Sequence, residues 1–388
     1  MNEMNIVPRH PPPPPPSPQP PPLPPTPVTF TGSRGEFIRL VTRGAALELV
    51  TAGFYRFWLA TDIRRHLWAN TLIDGDAAEY TGRGRELLIG FLFAMAILVP
   101  IYLVYFWIGI EVERFKEFAS FPLILAFYAF GQFATYRARR YRLTRTVWRG
   151  VRFWMDGSGW AYAWRAVLWG FFVALTLGLA LPWREAALER YKMRHSYYGD
   201  LQGKFTAKPS EFFKRGWWLW LAMPFALVLF PLFPFVYAQF KAIEWRWWLS
   251  GIRFGAVRVE SALPRGAFTP LYWKVIGWYM LASVALAVYF AVATGIAAFI
   301  SGGFDHAGGP EMFSKSIPLL VMGGVGYLAL ILSLNVVVRV YLLRDLWVTV
   351  LQHVQVHDIG AASDVAAKGD LATALGEGFA DGLDVAGF

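Results

Sequence analysis

The polar residues with the clearest pattern in this sequence are arginines that recur at matching positions. When the 388-residue chain is aligned with itself at an offset of 125 residues, Arg65 falls on Arg190. A second echo, WRGVRF against LSGIRF, pairs Arg152 with Arg253. Guanidinium groups match phosphate and carboxylate geometry well. We therefore expect Arg65, Arg190, Arg152 and Arg253 to contact anions, either as anchors to lipid headgroups or as a cradle for an anionic solute.

Two histidines have a spacing that is compatible with metal binding. His353 and His357 are four residues apart, which would place both on one face of a helix. The alternation of residue types in Val350–Val356 is equally typical of a strand, and no third ligand is evident. Because the chain contains no cysteine, disulfides, thiolate catalysis and cysteine-bound metals are excluded. The sequence predicts no metal and no other cofactor.

The sequence contains none of the common catalytic or nucleotide-binding motifs that we considered. The chain has no phosphate-binding GxxxxGK[ST] loop, no HExxH and no GxSxG. Glu86 and Glu211 match at the 125-residue offset, and each is expected to pair with an arginine or to cap the helix that enters the next apolar segment. We predict no catalytic residues and no enzymatic activity.

The overall composition predicts a protein that crosses a membrane several times. Hydrophobic residues make up 56% of the chain, charged residues 16%, and the mean hydropathy is +0.38. Soluble domains carry about 25% charged residues. The 18 Trp and 17 Tyr fit the aromatic belts that form at headgroup level.

The predicted architecture is an all-α, polytopic transmembrane helical bundle with internal pseudo-repeats. It has about six membrane segments: Leu87–Ile110, Phe118–Thr135, Ala163–Leu181, Gly216–Phe240, Val275–Ile300 and Ile317–Val338. Breaks inside Ala163–Leu181 and Gly216–Phe240 leave two alternatives open, single crossings or re-entrant segments. Phe37–Trp58 carries several charges and is expected to lie in the interface or inside the bundle.

Basic residues concentrate between the apolar segments. Tyr136–Met155 holds seven arginines and no acid, and the whole chain has a formal charge of +10. The positive-inside rule places such segments, and the N-terminus, in the cytoplasm. Glu111–Glu117 and Ser301–Lys315 are acidic or nearly neutral and are expected outside. The expected partners are membrane lipids, with anionic headgroups on the cytoplasmic face, and not nucleic acid; the oligomeric state is not predicted.

Repeats and composition divide the chain into five parts. These are a Pro-rich disordered tail (1–29), a first repeat unit (30–154) with a membrane hairpin at 87–135, a second repeat unit (155–270), a C-terminal membrane hairpin (271–344) and a C-terminal tail (345–388). Within the repeats, Thr-x-Gly at Thr51 and Thr176 is expected to stop a helix, and a polar helix follows each stop. Asn70–Gly75 (NTLIDG) has turn chemistry, with Asp and Gly favouring positive φ.

Several of these stretches resemble one known family. FTGSRGEF (Phe30–Phe37), TAGFYRFW (Thr51–Trp58), WRGVRFWMDG (Trp148–Gly157), RYKMRHSYYGD (Arg190–Asp200) and the terminal GEGFADGLDVAGF are similar to the pattern of YjgN-type proteins. The resemblance runs from about Phe30 to the C-terminus. It implies a bacterial inner-membrane protein of unknown function, and the family has no established catalytic residues to transfer.

Two functional hypotheses follow. Repeats and broken apolar segments favour transport of a small anionic or amphiphilic solute. Matched arginines and aromatic belts favour a non-transporting scaffold or a protein that binds anionic lipid.

Overall fold

The structure is a computed structural model that describes residues 24–111, 116–229, 232–300 and 317–372. Most of the predicted Pro-rich tail, the segment Ser301–Lys315 and the end of the C-terminal tail lie outside the described residues. So does the middle of Glu111–Glu117.

Ten short strands form a closed antiparallel barrel in which each strand pairs with its neighbours in the chain, and the last strand pairs with the first. The strands are β1 (Thr26–Phe30), β2 (Thr71–Ile73), β3 (Asp76–Tyr80), β4 (Thr146–Trp148), β5 (Val151–Met155), β6 (Ser196–Tyr198), β7 (Leu201–Phe205), β8 (Ile252–Phe254), β9 (Val257–Ser261) and β10 (Val354–His357). β1 therefore lies at the end of the segment predicted as a tail, and β10 lies within the C-terminal segment.

Pairs of helices connect the strands at one end of the barrel. They are α1 (Arg34–Val50), α2 (Arg56–Ala69), α3 (Gly84–Glu111), α4 (Lys116–Thr144), α5 (Gly159–Leu175), α6 (Leu181–Arg194), α7 (Pro209–Val228), α8 (Phe233–Ser250), α9 (Thr269–Ile300) and α10 (Ile317–Val338). α10 continues through a π-helical turn (Arg339–Asp345) into α11 (Leu346–Leu351). Every helical pair leaves the barrel and returns to it at the same end. The β-hairpin turns therefore all lie at the opposite end of the barrel.

The same hydrogen bond joins each helical pair to the barrel. The residue that follows the strand before a helical pair donates its backbone N–H. The acceptor is the carbonyl of a residue just after the second helix of that pair. The five donor–acceptor pairs are Thr31–Asn70, Thr81–Arg145, Asp156–His195, Thr206–Gly251 and Ala262–His353, with N···O distances of 2.8–3.0 Å. These bonds satisfy backbone groups where helix changes to strand.

The hairpin turns have the backbone conformation that their residues favour. Asp74 and Gly75 have φ of +54° and +81°, and Arg149 and Gly150 have +48° and +75°. Two successive residues at positive φ are typical of the two-residue turns whose twist matches that of antiparallel strands. Of the turn predicted for Asn70–Gly75, Asp74 and Gly75 are confirmed, whereas Thr71–Ile73 forms β2.

Matching local conformations occur in the segments that the 125-residue offset aligns. Ser33 and Ser158 cap the N-termini of α1 and α5, each accepting a backbone N–H with its side chain. Both helices end at the Thr-x-Gly stop, where Gly53 and Gly178 have φ of +88° and +90°. The polar helices expected after these stops are α2 and α6.

The predicted all-α bundle of six membrane segments is wrong. The strands contain only three to five residues each, too few to show a period of two between much longer apolar helices. Ala163–Leu181 and Gly216–Phe240 are not single helices either, because α5 ends at Leu175 and α7 ends at Val228. Each apolar run instead spans the bend of a helical pair that returns to the barrel.

Among the described residues, three helical segments are long and apolar enough to cross a membrane: Gly84–Trp107, Thr269–Ile296 and Gly323–Leu351. They correspond to the predicted segments Leu87–Ile110, Val275–Ile300 and Ile317–Val338. The bends of the shorter pairs also expose apolar side chains, with Val50, Leu177 and Val228 82%, 91% and 83% exposed.

Candidate functional site

The interior of the barrel contains an apolar cavity of about 330 Å³, lined by inward-facing residues from all ten strands. Aromatic rings form much of its wall: Trp68, Trp148, Phe153, Tyr198, Phe254 and Trp347. The volume lies in the range of roughly 300–1,000 Å³ that is typical of small-molecule sites. We call this space the barrel cavity.

The polar groups in the cavity wall bond to each other. The indole N–H groups of Trp68 and Trp347 donate to the hydroxyls of Thr146 and Thr71, each at 3.1 Å. Those two hydroxyls donate in turn to helix carbonyls, and the Tyr198 hydroxyl donates to the carbonyl of Trp148. The wall therefore presents hydrocarbon and ring faces, which suit an apolar ligand.

Different parts of the chain close the two ends of the barrel cavity. At the helical end, Trp68 and Trp347 stack with ring centroids 5.4 Å apart. At the turn end, Asp358 bends the chain with a φ of +55°, and Ile359 and Ala362 then line the cavity.

The chain continues from there across the β6–β7 turn. An added Cβ at Gly199 would lie 2.4 Å from the carbonyl oxygen of Ala366, so the backbone passes close by. We call residues 358–366 the closing segment, because it covers the turn end of the barrel.

A cluster of ionised side chains lies among the helices. Glu189 is buried and pairs with Arg139 at 3.3 Å and with Lys192, while Lys241 pairs with Glu244 at 2.7 Å. A small cavity of about 180 Å³ lies beside this cluster, and its lining includes both the charged residues Arg139, Glu185, Glu189, Lys192 and Glu244 and the rings of Trp245, Trp247 and Trp248.

The pKa values of two carboxylates in this cluster, Glu189 and Glu185, are shifted in opposite directions. Burial acts to raise the pKa of Glu189, but Lys192 and Arg139 outweigh it and hold that pKa below its ordinary value. Burial raises the pKa of Glu185 despite the neighbouring Arg184. In this cluster the cationic neighbours decide the pKa shift of Glu189, whereas burial decides that of Glu185.

The four predicted anion contacts lie on different elements. Arg65 on α2 donates to the carbonyl of Gly82 at 2.7 Å and lies near Asp62, whereas Arg190 on α6 is exposed. Arg152 on β5 donates to the carbonyl of Thr144 at 2.6 Å. Arg253 is exposed on β8, which two strands separate from β5. The structure therefore does not bring Arg152 and Arg253 together.

The WRGVRF echo does not match equivalent positions of the hairpins. Arg152 lies on the second strand of its hairpin, opposite Val147, and Arg253 lies on the first strand of its own, opposite Arg258. In the fold, the counterpart of Arg152 is thus Arg258.

The two histidines are not on one helical face. His353 follows α11 and contacts the carbonyl of Thr349, while His357 ends β10 and lies 3.0 Å from Glu260. Of the two alternatives, helix and strand, the strand is confirmed for residues 354–357. Within the part of the chain that the structure describes, no group of three or more His, Cys, Asp or Glu could hold a metal ion.

The two matched glutamates both lie in the first turn of a helix. Glu86 on α3 accepts from Arg145 at 2.7 Å and from the Tyr141 hydroxyl at 2.9 Å, so the predicted pairing with arginine is confirmed for this residue. Glu211 is exposed at the start of α7.

The sequence did not reveal the residues of the barrel cavity. Trp68, Trp148 and Trp347 were counted as part of the aromatic belts, but they face the barrel interior. Trp58 and Trp183, which are 37% and 41% exposed, fit the belt interpretation better. The sequence signal that could have identified Trp68 is its position, because it lies in the last turn of α2, three residues before β2 begins.

Comparisons with known proteins give a family and no function. No curated protein and no solved structure matches the chain. Residues 25–244, more than half of the chain, match the model of a family described as a bacterial protein of unknown function (DUF898). This is the YjgN-type family, so the resemblance seen in the sequence is confirmed. The chain belongs to the DUF898 family of bacterial proteins.

Proposed function

We propose that this protein is embedded in the bacterial inner membrane and binds the apolar part of an amphiphilic molecule in the barrel cavity. The observation that carries the proposal is the cavity itself, because about 330 Å³ of space inside the barrel is lined by apolar and aromatic groups. A closed barrel of small size can hold one small ligand. Burial of hydrocarbon in such a space is favourable by roughly 25 cal/mol per Å² of apolar surface.

Three apolar segments and the exposed apolar bends support the membrane part of the proposal. The basic residues of Tyr136–Met155 lie at the end of α4 and in the β4–β5 hairpin, on the barrel side of the molecule. By the positive-inside rule, we assign the barrel and the N-terminus to the cytoplasmic side. Lipid from the inner leaflet is then the nearest source of an amphiphile.

Transport of an anionic or amphiphilic solute is the second candidate, and the same cavity would serve it. Transport additionally requires access from both sides of the membrane, and the closing segment and the Trp68–Trp347 stack cover the two ends of the barrel. The geometry therefore supports binding more directly than transport.

Two adjacent alanines of β3 provide a matched test. Ala78 lines the barrel cavity, and its neighbour Ala77 is exposed on the outer face. Ala78→Phe should fill the cavity, whereas Ala77→Phe adds the same ring outside. Membranes that contain each protein would be labelled with a photoactivatable diazirine analogue of palmitate, and the labelled peptides would be mapped by mass spectrometry.

The proposal predicts labelling of cavity-lining strand peptides in the natural protein and in Ala77→Phe, and its loss in Ala78→Phe. Unfolding temperatures of the three proteins control for misfolding. Labelling restricted to the lipid-exposed helices in all three would overturn the proposal. If liposomes that contain the protein also move the labelled fatty acid between leaflets, and Ala78→Phe abolishes that movement, transport replaces simple binding.

A further inference from the structure

The outer face of the barrel carries a row of basic side chains in direct cross-strand register. Lys204 on β7 is opposite Arg253 on β8, Arg253 is opposite Arg258 on β9, and Arg258 is opposite His357 on β10. Residues directly opposite each other in antiparallel strands point to the same face at close range. Four neighbouring strands therefore present cationic or protonatable groups side by side.

This row borders a groove of about 390 Å³ between the barrel and helices α7 and α8. Arg215 and Arg246 extend into it from the helices, and the hydroxyls of Ser250 and Ser261 also line it. We call it the outer groove. It lies on the other side of the barrel wall from the barrel cavity, since Arg253, Arg258, Glu260 and His357 alternate with inward-facing residues, and of the described residues only Val259 borders both spaces.

The charges in the outer groove are incompletely neutralised. Asp358 pairs with Arg258 at 2.7 Å and Glu260 lies 3.0 Å from His357. Glu211 is the other carboxylate of the lining. In the described part of the chain, neither Arg215 nor Arg253 forms an ion pair. Four arginines thus face two glutamates and Asp358, with Lys204 beside them.

An unbalanced row of this kind costs stability unless something offsets it. Like charges directly opposite in a sheet destabilise it. A phosphate group offers several acceptor oxygens and a charge near −2, and arginines bind it with paired hydrogen bonds. We propose that the outer groove binds a phosphate-type anion through Arg253 and Arg215, supported by Arg246 and the serine hydroxyls.

The phosphate could belong to a free anion or to a lipid headgroup. Arg215 directly precedes the apolar stretch Gly216–Phe240, in which Trp217 is 54% exposed, so the outer groove lies at the level along α7 where the apolar helix surface begins. The inference does not depend on the barrel cavity, since Ala78 is not among the residues that line the outer groove.

The test compares Arg253→Gln, Arg215→Gln and the double variant with Arg43→Gln, which removes an exposed arginine from α1. Unfolding temperatures would be measured in non-ionic detergent with inorganic phosphate and with sodium chloride at equal ionic strength. We expect a saturable rise with phosphate for the natural protein and for Arg43→Gln. Each groove variant should weaken the apparent affinity about tenfold, as expected for loss of one charge-assisted contact.

A second arm identifies the source of the phosphate. The same proteins would be placed in nanodiscs of phosphatidylcholine with or without phosphatidic acid. If inorganic phosphate has no effect but phosphatidic acid stabilises the natural protein and not the double variant, the groove binds lipid headgroups. Equal stabilisation of the double variant and the natural protein by both probes, or no stabilisation by either probe, would overturn the inference.

Discussion

At the scale of single residues, the clearest energetic contrast is between two carboxylates of one helix. Glu189 and Glu185 lie four residues apart on α6, yet their pKa values are shifted in opposite directions. Arg139 and Lys192 favour the ionised form of Glu189, while burial favours the protonated form of Glu185. The folded state therefore favours the ionised form of Glu189 and the protonated form of Glu185.

Glu189→Gln should destabilise the protein by about 3–5 kcal/mol at neutral pH, because it leaves buried cations without their counterion. Glu185→Gln, which mimics the protonated acid, should cause no loss or a small gain. Unfolding temperatures in detergent would measure both. The control is Glu79→Gln on β3, where the side chain is exposed and the effect should stay within about 0.5 kcal/mol.

The free energy of unfolding should depend on pH in opposite ways through these two carboxylates. The lowered pKa of Glu189 means that its stabilisation is present above the ordinary pKa of 4.5 and is lost as pH falls through the folded-state value. The raised pKa of Glu185 means the reverse, since its stabilisation is present below 4.5 and is lost as pH rises. The deficit of Glu189→Gln should therefore shrink in acid, and any gain of Glu185→Gln should grow toward neutral pH. A deficit of Glu189→Gln that does not change with pH would contradict this account.

At the scale of elements, the α1–α2 and α5–α6 bends depend on glycine for conformation and not for space. Gly53 and Gly178 have φ near +90°, and an added Cβ at Gly53 would meet no atom within 4 Å. Gly53→Ala and Gly178→Ala should each cost about 1 kcal/mol, because alanine adopts this region unfavourably. Gly35 on α1 also has open space around it but no positive φ, so Gly35→Ala should be neutral or stabilising. Equal effects at Gly53 and Gly35 would show that the backbone conformation does not limit the bend.

Helices, bends and turns were accessible from the sequence because their signals are local. Serine caps, Thr-x-Gly stops and the Asp-Gly turn each occupy a few adjacent residues, and the structure contains them. The barrel was not accessible, because strands such as Thr71–Ile73 are too short to show alternation and their partners are set by closure of the whole chain. For the same reason the barrel cavity could not be predicted. Trp68, Trp148 and Trp347 are far apart in sequence and meet only after all ten strands have paired.

The arginines show that matching positions in the sequence do not always occupy equivalent positions in the fold. The 125-residue offset aligns residues with the same conformation, such as Ser33 with Ser158, but Arg65 and Arg190 on α2 and α6 belong to separate helical pairs of one ring. The second echo pairs Arg152 with Arg253 although they occupy different strands of their hairpins. Cross-strand register placed Arg253 beside Lys204 and Arg258, and register is a property of the assembled sheet.

At the scale of the whole molecule, strand pairing constrains the membrane topology that we propose. All β-hairpin turns lie at one end of a single barrel, so the β6–β7 hairpin, which lies within Trp183–Arg215, is on the same side as the β4–β5 and β8–β9 hairpins. The alternative in which Ala163–Leu181 and Gly216–Phe240 each cross once would place this hairpin opposite the others. A closed barrel does not permit that arrangement.

The absence of cysteine makes this topology directly measurable, since any introduced thiol is unique. Asp200→Cys places a thiol at the exposed β6–β7 turn, and Asp305→Cys places one in the sequence between α9 and α10. If the barrel is cytoplasmic, a membrane-impermeant maleimide should label Asp305→Cys in intact spheroplasts and Asp200→Cys only after permeabilisation. A third variant, Asp74→Cys at the β2–β3 turn, should behave like Asp200→Cys because both turns belong to the same end of the barrel. Labelling of Asp74→Cys and Asp200→Cys from opposite sides would contradict the closed barrel itself. Labelling of both from outside would reverse the orientation and place the outer groove away from the cytoplasmic leaflet.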